Sequence, residues 1–591
     1  MGIRVYSRTH QMAVEFVHSK DEVERLFVRT CSLALCTLPA PPVSADARLF
    51  ALLPHDAVDR LSRLPDVLLG NIVSRLPVKD AARTAALSRR WRGVWRSTPL
   101  VLVDADLPVA SAVSRVLAEH PGPFHYIHFT SNYTEDESHG LLTSWLQILV
   151  SKGIQELVLV NGHRSPLDLD LPTTFLGMST LTRLYLGRWK FPCTAGRPRA
   201  TCFPNLCELE LYKVLVESRD LDFILDRSPV LETLRLQGNL LKLRLRLVSQ
   251  SLRSVQLMLS SFEEIFVVNA PRLEKLYHSE PWTPDGHCTK IKIGHAPKLY
   301  LLGFLDPRNH VLEFGNTIIK PTTRVSPSTM VPSVARLAMQ VRFGVRNDVK
   351  MIPSVLRCFP NVENLDIMSA ETDQSAGKLN LKFWHESGII ECIQLRIKRL
   401  NFYAFRGGRS ELAFLKFFFE SALVLEEVVI VLAADFTSME EVDSKVERLW
   451  SMKRASEASI VLVTGSSDPQ GRYIRSFKGR SGFYVSNPFA RPSVFTASCA
   501  SSPRRHAKVN LLLYACLKSP IWDDILLHTP SCLDDRNSTI STEGREDAME
   551  TQGRKADVTQ VWKRRRKKCW TLQAGTSARY SQNFRPDTIQ E

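Results

Sequence analysis

The chain has 591 residues, 44% of them apolar, which is more than one hydrophobic core organises, so two or more structural units are expected. No apolar run reaches the roughly 18 residues that a membrane-spanning helix needs, so no membrane partner is expected. The 77 basic against 61 acidic residues leave a net charge of +16, but Lys563–Lys568 (KRRRKK) alone supplies six of these charges, and nucleic acid is not expected as a partner.

Residues 1–58 read as a variable leader. A helix fits Lys20–Thr30, and Pro39-Ala40-Pro41-Pro42 follows. The apolar segment Cys31–Ala40 lies too far from Met1 and is too proline-broken for a signal peptide.

Residues 59–99 form a dense helical block. Pro65 suits the first turn of a helix, with Asp66 beside the positive end of its dipole. Leu68, Leu69, Ile72, Val73 and Leu76 then make an apolar stripe wider than a small core uses. Pro77 stops that helix, a second fits Lys79–Leu87, and Ser88 caps a third whose Trp91, Val94 and Trp95 share one face. Three such helices in about 40 residues bury too little for independent stability, so a helical partner is expected to cover the excess. Arg89, Arg90, Arg92 and Arg96 also admit a DNA-recognition helix, against which stand Trp91 and Trp95 on one of its faces.

Residues 100–152 read as a linker and the start of a repeat region that fills 153–385. His125 and His128 fit a strand of mixed exposure better than a metal pair. The pattern apolar-x-x-apolar-x-apolar recurs at Ile154/Leu157/Leu159, Leu181/Leu184/Leu186, Leu206/Leu209/Leu211, Leu231/Leu234/Leu236 and Leu252/Val255/Leu257. It continues at Leu299/Leu302/Phe304, Val334/Leu337/Met339 and Val362/Leu365/Ile367, while Leu273/Leu276 has His278 at the third place. The middle residues step by 27, 25, 25, 21, 21, 26, 35 and 28, around the period of leucine-rich repeats.

The last two apolar residues of each unit stand two apart and share one side of a strand, so stacked strands bury a continuous column. Pro204, Pro229, Pro271, Pro297 and Pro360 end the preceding segments. The asparagine that usually follows the strand is in register only at Asn239, so the repeats are irregular. Residues between the buried pair face a concave side: Val158, Tyr185, Glu210, Arg235, Gln256 and Tyr277. Tyr185, Arg235 and Tyr277 are the candidate target contacts, tyrosine and arginine being enriched at binding hot spots. A plain solvent-facing strand accounts for them equally well.

Residues 386–465 read as a cap on the repeats. Leu395 and Ile397 alternate as a strand, Phe405-Arg-Gly makes a turn, and Phe414, Phe417 and Phe418 share one face of a helix. Ile460–Val463 adds a last strand. Beyond 490, Ser, Thr, Pro and charge predict a disordered basic tail, in which Lys563–Lys568 has the composition of a nuclear import signal. The twelve cysteines include no C-x-x-C pair, which fits reduced thiols in the nucleus and/or cytoplasm. There is no P-loop, no G-x-S-x-G and no metal-spaced Cys/His set. No catalytic residue, metal ligand or cofactor is assigned.

Two segments resemble a known family. Leu64-Pro65, Ile72 to Leu76-Pro77, Leu87-Ser88-Arg89-Arg90-Trp91-Arg92 and Trp95 resemble the F-box. Glu391–Ile430 resembles the FBD module that follows the repeats in plant F-box proteins. The resemblance implies a mixed α+β and α/β chain, with a three-helix F-box, an irregular leucine-rich-repeat solenoid, an FBD-like cap and disordered tails. It implies docking on a Skp-type adaptor and, through it, a cullin. The adaptor-facing residues would be Leu64, Pro65, Leu68, Leu69, Ile72, Leu76, Pro77 and Val78. It further implies a non-catalytic, substrate-recognising subunit of an SCF-type ubiquitin ligase, acting on an unidentified protein by proximity. A non-degradative repeat scaffold and a nucleic-acid-binding protein are the readings it leaves open.

Overall fold

The computed structural model describes residues 61–463 except 108, 131–135, 162–168, 197–200, 280–287, 322, 324–325, 372–380 and 434–446, and in addition 497–498. All lie in the first of the two units, 1–517 and 518–591, into which the chain divides. The leader helix, the tail beyond 490 (but for 497–498) and the Lys563–Lys568 run fall outside the described residues.

The first helices follow the local signals. Pro65 stands ahead of α1 (Asp66–Val73) and Pro77 ahead of α2 (Val78–Thr84), each at the place where its missing N–H costs nothing. Ser88 caps α3 (Arg89–Ser97), its hydroxyl accepting from the Trp91 N–H at 3.3 Å. The second helix ends three residues before the expected Leu87. Ala85, Ala86 and Leu87 instead donate to carbonyls three residues back, a tightened turn that frees Ser88 for its cap. Leu69, Val73, Val78, Ala81, Trp91 and Val94 form the core of this block.

The rest is built on strands, in chain order β1 Leu100–Val103, β2 Phe124–Phe129, β3 Glu156–Val160, β4 Arg183–Gly187, β5 Glu208–Tyr212, β6 Thr233–Gln237, β7 Leu243–Val248, β8 Ser254–Met258, β9 Phe262–Asn269 and β10 Lys275–Ser279. There follow β11 Thr289–His295, β12 Leu301–Leu305, β13 His310–Phe314, β14 Thr317–Ile318, β15 Arg336–Val341, β16 Asn364–Ser369, β17 Arg399–Phe405, β18 Glu427–Leu432, β19 Ser459–Val463 and β20 Ala497–Ser498. A 15-stranded sheet takes them in the order β1-β2-β3-β4-β5-β6-β8-β10-β12-β15-β16-β17-β18-β19-β20, parallel up to β19. One register row joins Leu157, Leu184, Leu209, Leu234, Val255 and Leu276 across six strands, so the middle residue of each sequence repeat meets its counterpart. Each such leucine is buried against the main core.

Two details of the column differ from expectation. In β12 the register shifts between Leu302 and Leu305, an irregularity that turns Leu305 rather than Phe304 into the main core. Phe304 points to the opposite face with Tyr277, Leu301 and Ala338. Gly303 is required there, since a Cβ would sit 2.5 Å from that of Ala338. His278 keeps the third place of its repeat and is buried, its ring 4.7 Å from that of His310 and 5.4 Å from that of Phe262.

The outer layer is extended over one part of the chain and largely helical over the rest. In the two 21-residue repeats the return is extended, a strand rising about 3.3 Å per residue against 1.5 Å for a helix. The 21-residue steps carry β7 and β9, which join β11, β13 and β14 in a second sheet of order β14-β13-β11-β9-β7. This sheet was not anticipated. Its signal is the alternation of buried Leu243, Leu245 and Leu247 with exposed Arg244 and Arg246. Elsewhere the layer is helical: α4 Ala110–Glu119, α5 Asp136–Lys152, α6 Ser218–Asp226, α7 Arg346–Arg357, α8 Leu381–Glu386, α9 Glu391–Leu395 and α10 Arg409–Ser421.

The C-terminal part needs one correction. Leu395 ends helix α9 and is exposed, and the strand begins at Arg399, after buried Ile397. Ile397/Leu400/Phe402 repeats the apolar-x-x-apolar-x-apolar pattern later than the expected Leu395/Ile397 strand, and Leu425/Val428/Ile430 repeats it once more. β17 and β18 are therefore further members of the long sheet. On α10, Phe414 packs near Phe343, Trp384 and Phe402, and Phe417 stacks on Trp384 at 5.4 Å. The buried Glu411 carboxylate accepts from the Gly408 and Arg406 N–H groups and from Ser369 Oγ, and burial holds its pKa above the usual range.

Candidate interaction surfaces

The helical block leaves apolar surface uncovered. Residues opposite its core on α1, Val67 and Leu68, are 83% and 50% exposed, and Leu61 and Leu87 of the same block are exposed as well. Of the eight residues expected to face a partner, Pro65 and Leu68 are exposed, and Leu64, Ile72, Leu76 and Pro77 are half-buried. Leu69 and Val78 belong to the block's own core and offer a partner no surface, which corrects the expectation. At 100° per residue, Leu69 falls beside Val73, on the side turned to α3. Val67, Leu61 and Leu87 escaped the sequence reading. Val67 could have been found, being an apolar residue about half a turn from the buried side of α1.

Arg90 fixes how this surface is presented. Its guanidinium donates to Asp66 Oδ1 at 2.8 Å, to the Leu64 carbonyl at 2.5 Å and to the Ser62 carbonyl. Trp91 Nε1 donates to Ser62 Oγ at 3.0 Å. Helix α3 thus clasps the turn that precedes α1, across more than 20 residues of sequence. That use of Arg90 takes it off the list of side chains able to meet a phosphate.

The second surface is the face of the long sheet turned away from the main core. Val158, Tyr185, Glu210, Arg235, Gln256 and Tyr277 form one unbroken register row on it, as the repeat spacing implies. Tyr185 and Tyr277 are nonetheless buried, 0% and 3% exposed, and present no contact surface, a second correction. Strands 4.8 Å apart bring large side chains against one another. Tyr185 accordingly packs in a cluster with Val101, Val103, Tyr126, Val158, Val160 and Tyr212, and Tyr277 packs with Phe304, Leu301 and Ala338. Burial raises the Tyr126 hydroxyl above its ordinary pKa and lowers the His128 imidazole. Arg235 retains some exposure and donates to Glu210 Oε2 at 2.8 Å. Burial pushes the Glu210 carboxyl up while Arg235 opposes the shift.

Further along the same face, the buried Asp366 carboxylate collects four donors. Arg336 donates through Nε at 2.9 Å and Nη2 at 3.2 Å, Asn401 Nδ2 at 2.9 Å and the Tyr403 hydroxyl at 3.3 Å. This fully bonded carboxylate was not singled out from sequence, because its partners come from the two strands that flank its own. Among the described residues no group of three or more His, Cys, Asp or Glu side chains is placed to hold a metal ion.

Comparison with known proteins bears on both surfaces. A family model of the F-box domain matches residues 61–102, and that of the FBD matches 385–430. The model described as FBD-associated F-box protein At5g56370, LRR repeats, matches 142–367. F-box/FBD/LRR-repeat protein At1g51370 of Arabidopsis thaliana is 30% identical over 351 residues, covering 52% of this chain and 73% of that protein. The chain belongs to the F-box/FBD/LRR-repeat family. Another similar member, At5g22660 of the same plant, is 25% identical over 453 residues, 68% of this chain and 96% of its own length. The F-box/LRR-repeat protein At3g26922, also from that plant, is 30% identical over 232 residues, 37% and 74% of the two chains. In this F-box/FBD/LRR-repeat protein the parallel strands run from Leu100 to Val463, beyond both ends of the repeat match. The repeat and FBD segments therefore share one sheet.

Proposed function

We propose that this chain is the target-recruiting, non-catalytic subunit of an SCF-type ubiquitin ligase. In this reading the three-helix F-box docks on a Skp-type adaptor, the adaptor docks on a cullin, and the repeats form a solenoid whose inner face takes the target. The observation that carries the reading is the uncovered apolar face of the F-box. Large apolar side chains set together on a helical block are energetically costly in water and are covered when a partner helix packs on them. The chemistry belongs to the conjugating enzyme. This chain contributes effective concentration, holding a target lysine within reach. Arg235 is the proposed contact on the inner face, and the buried Tyr185 and Tyr277 hold the row on which it stands. The proposed sites of action are the nucleus and/or the cytoplasm.

The test is co-purification of a Skp-type adaptor with the intact chain and with Leu68→Asp/Ile72→Asp. Ions set on a helix face that must be desolvated cost several kcal/mol, so adaptor binding is expected to vanish. Undiminished binding by the double variant would remove this face, and the ligase reading with it.

A further inference from the structure

The F-box segment 61–98 holds eight basic side chains against two acidic ones. Both acids are already engaged, Asp66 by Arg90 and Asp80 by Arg83 at 2.7 Å. Arg63, Arg75, Lys79, Arg89, Arg92 and Arg96 are all exposed, and none has a carboxylate within ion-pair reach among the described residues. Arg75 donates only to the neutral Asn71 side chain, at 3.1 Å. On α3, Arg89, Arg92 and Arg96 fall within about 60° of one another, on the side opposite Trp91, Val94 and Trp95. The helix thus turns an apolar face to its own core and a purely cationic face outward.

Like charges gathered on so small a block repel one another, and nothing in the block relieves them. The same block exposes Val67, Leu68, Leu61 and Leu87. A nucleic-acid backbone would answer the cations but would leave those side chains in water. A protein partner whose docking surface is apolar and whose net charge is negative answers both. We propose that the F-box selects such a partner as its adaptor, and that Arg89, Arg92 and Arg96 steer the encounter rather than hold the finished complex. This rests on the adaptor reading above and specifies the chemistry of the adaptor's surface. Exposed charges act over roughly a Debye length, about 10 Å at 0.1 M salt, so they act mainly on approach. Desolvated apolar contacts set how long the complex lasts.

The experiment measures association and dissociation rates of the full chain with a purified Skp-type adaptor at about 50 and 500 mM salt. It compares the unaltered chain, Arg89→Gln/Arg92→Gln/Arg96→Gln and Leu68→Asp. For the unaltered chain the association rate should fall on the order of tenfold across that range. The triple glutamine variant should associate slowly at both salts, with little slope, and dissociate within about twofold of the unaltered chain. Its thermal midpoint should be unchanged, because the three arginines have no side-chain partner among the described residues to lose. Leu68→Asp should shorten the complex lifetime and leave the salt slope in place. An unaltered chain that binds the adaptor with no salt slope, or a triple variant that keeps the full slope, overturns the charge-steering proposal and leaves the adaptor reading standing. An unaltered chain that does not bind the adaptor at either salt sinks both. Arginine-dependent binding to duplex DNA in preference to the adaptor would reassign the face to nucleic acid.

Discussion

The F-box and the repeat sheet treat charge and apolar surface in opposite ways. On the sheet, Arg183, Arg336 and Arg399 each reach a carboxylate on a neighbouring strand, and the apolar side chains of both faces are largely buried. On the F-box, six cations have no carboxylate among the described residues, and Val67 stands almost bare. A region that satisfies itself holds its own shape, and a region that leaves both kinds of group open is completed by something else. The contrast separates residues that stabilise this chain from residues that serve association, and mutation can break it at either end.

The largest expected effect is on the sheet. Asp366→Ala would leave Arg336, Asn401 and the Tyr403 hydroxyl without their common acceptor. Removing one partner of a buried pair costs on the order of 3–5 kcal/mol. Urea unfolding would measure it, and a loss below about 1 kcal/mol would show that the sheet does not depend on its internal pairing.

Acid should act next, through His278. Burial lowers its pKa to about 3, and that of His310 beside it falls well below normal for the same reason. With the folded value below the unfolded 6.5, the unfolded chain binds more protons as pH falls. Stability is therefore full above about pH 6.5 and is lost toward pH 3, by roughly 2–4 kcal/mol at pH 4 from His278 alone. His278→Leu, which restores the leucine of the repeat pattern, should flatten the acid limb of a denaturation series. An unchanged slope would place the proton uptake elsewhere.

The F-box should give small effects of the opposite character. A Cβ at Gly93 meets nothing within 4 Å, so Gly93→Ala should stabilise α3 by up to about 1 kcal/mol in thermal unfolding. Smallest of all, Leu68→Asp should move stability by no more than about 0.5 kcal/mol while shortening the lifetime of the adaptor complex. A large drop in melting temperature from that change would place Leu68 in the core and dissolve the contrast.

The sequence made the strands legible because each carries its own apolar triplet, visible without knowing its neighbours. Ile397/Leu400/Phe402 obeys the same rule and was read one phase early, because Leu395 two residues before offers a competing alternation. The outer strand at Leu243–Val248 was legible in principle but is hidden inside a repeat whose pattern had already been assigned. Burial of Tyr185 and Tyr277 was not legible, since it depends on the rings and branched side chains of adjacent strands. The Arg90 clasp was not legible either, because its acceptors lie 24 to 28 positions away and only the packing of α3 brings them together. At the F-box, the motif indicated the docking helix, while only the fold could separate Leu68 from Leu69.

The unbroken register of the long sheet bears on how such chains diverge. Up to β19, each strand pairs with one that lies a single repeat before it and one that lies a single repeat after it. Duplication or deletion of a whole repeat therefore leaves every other pairing as it was and simply moves the boundary along. The F-box has no such freedom, because Arg90 ties its last helix to the residues before its first, and loss of any helix would open the ring of contacts. Lineages of this architecture can vary the length of the sheet while holding the three-helix block constant.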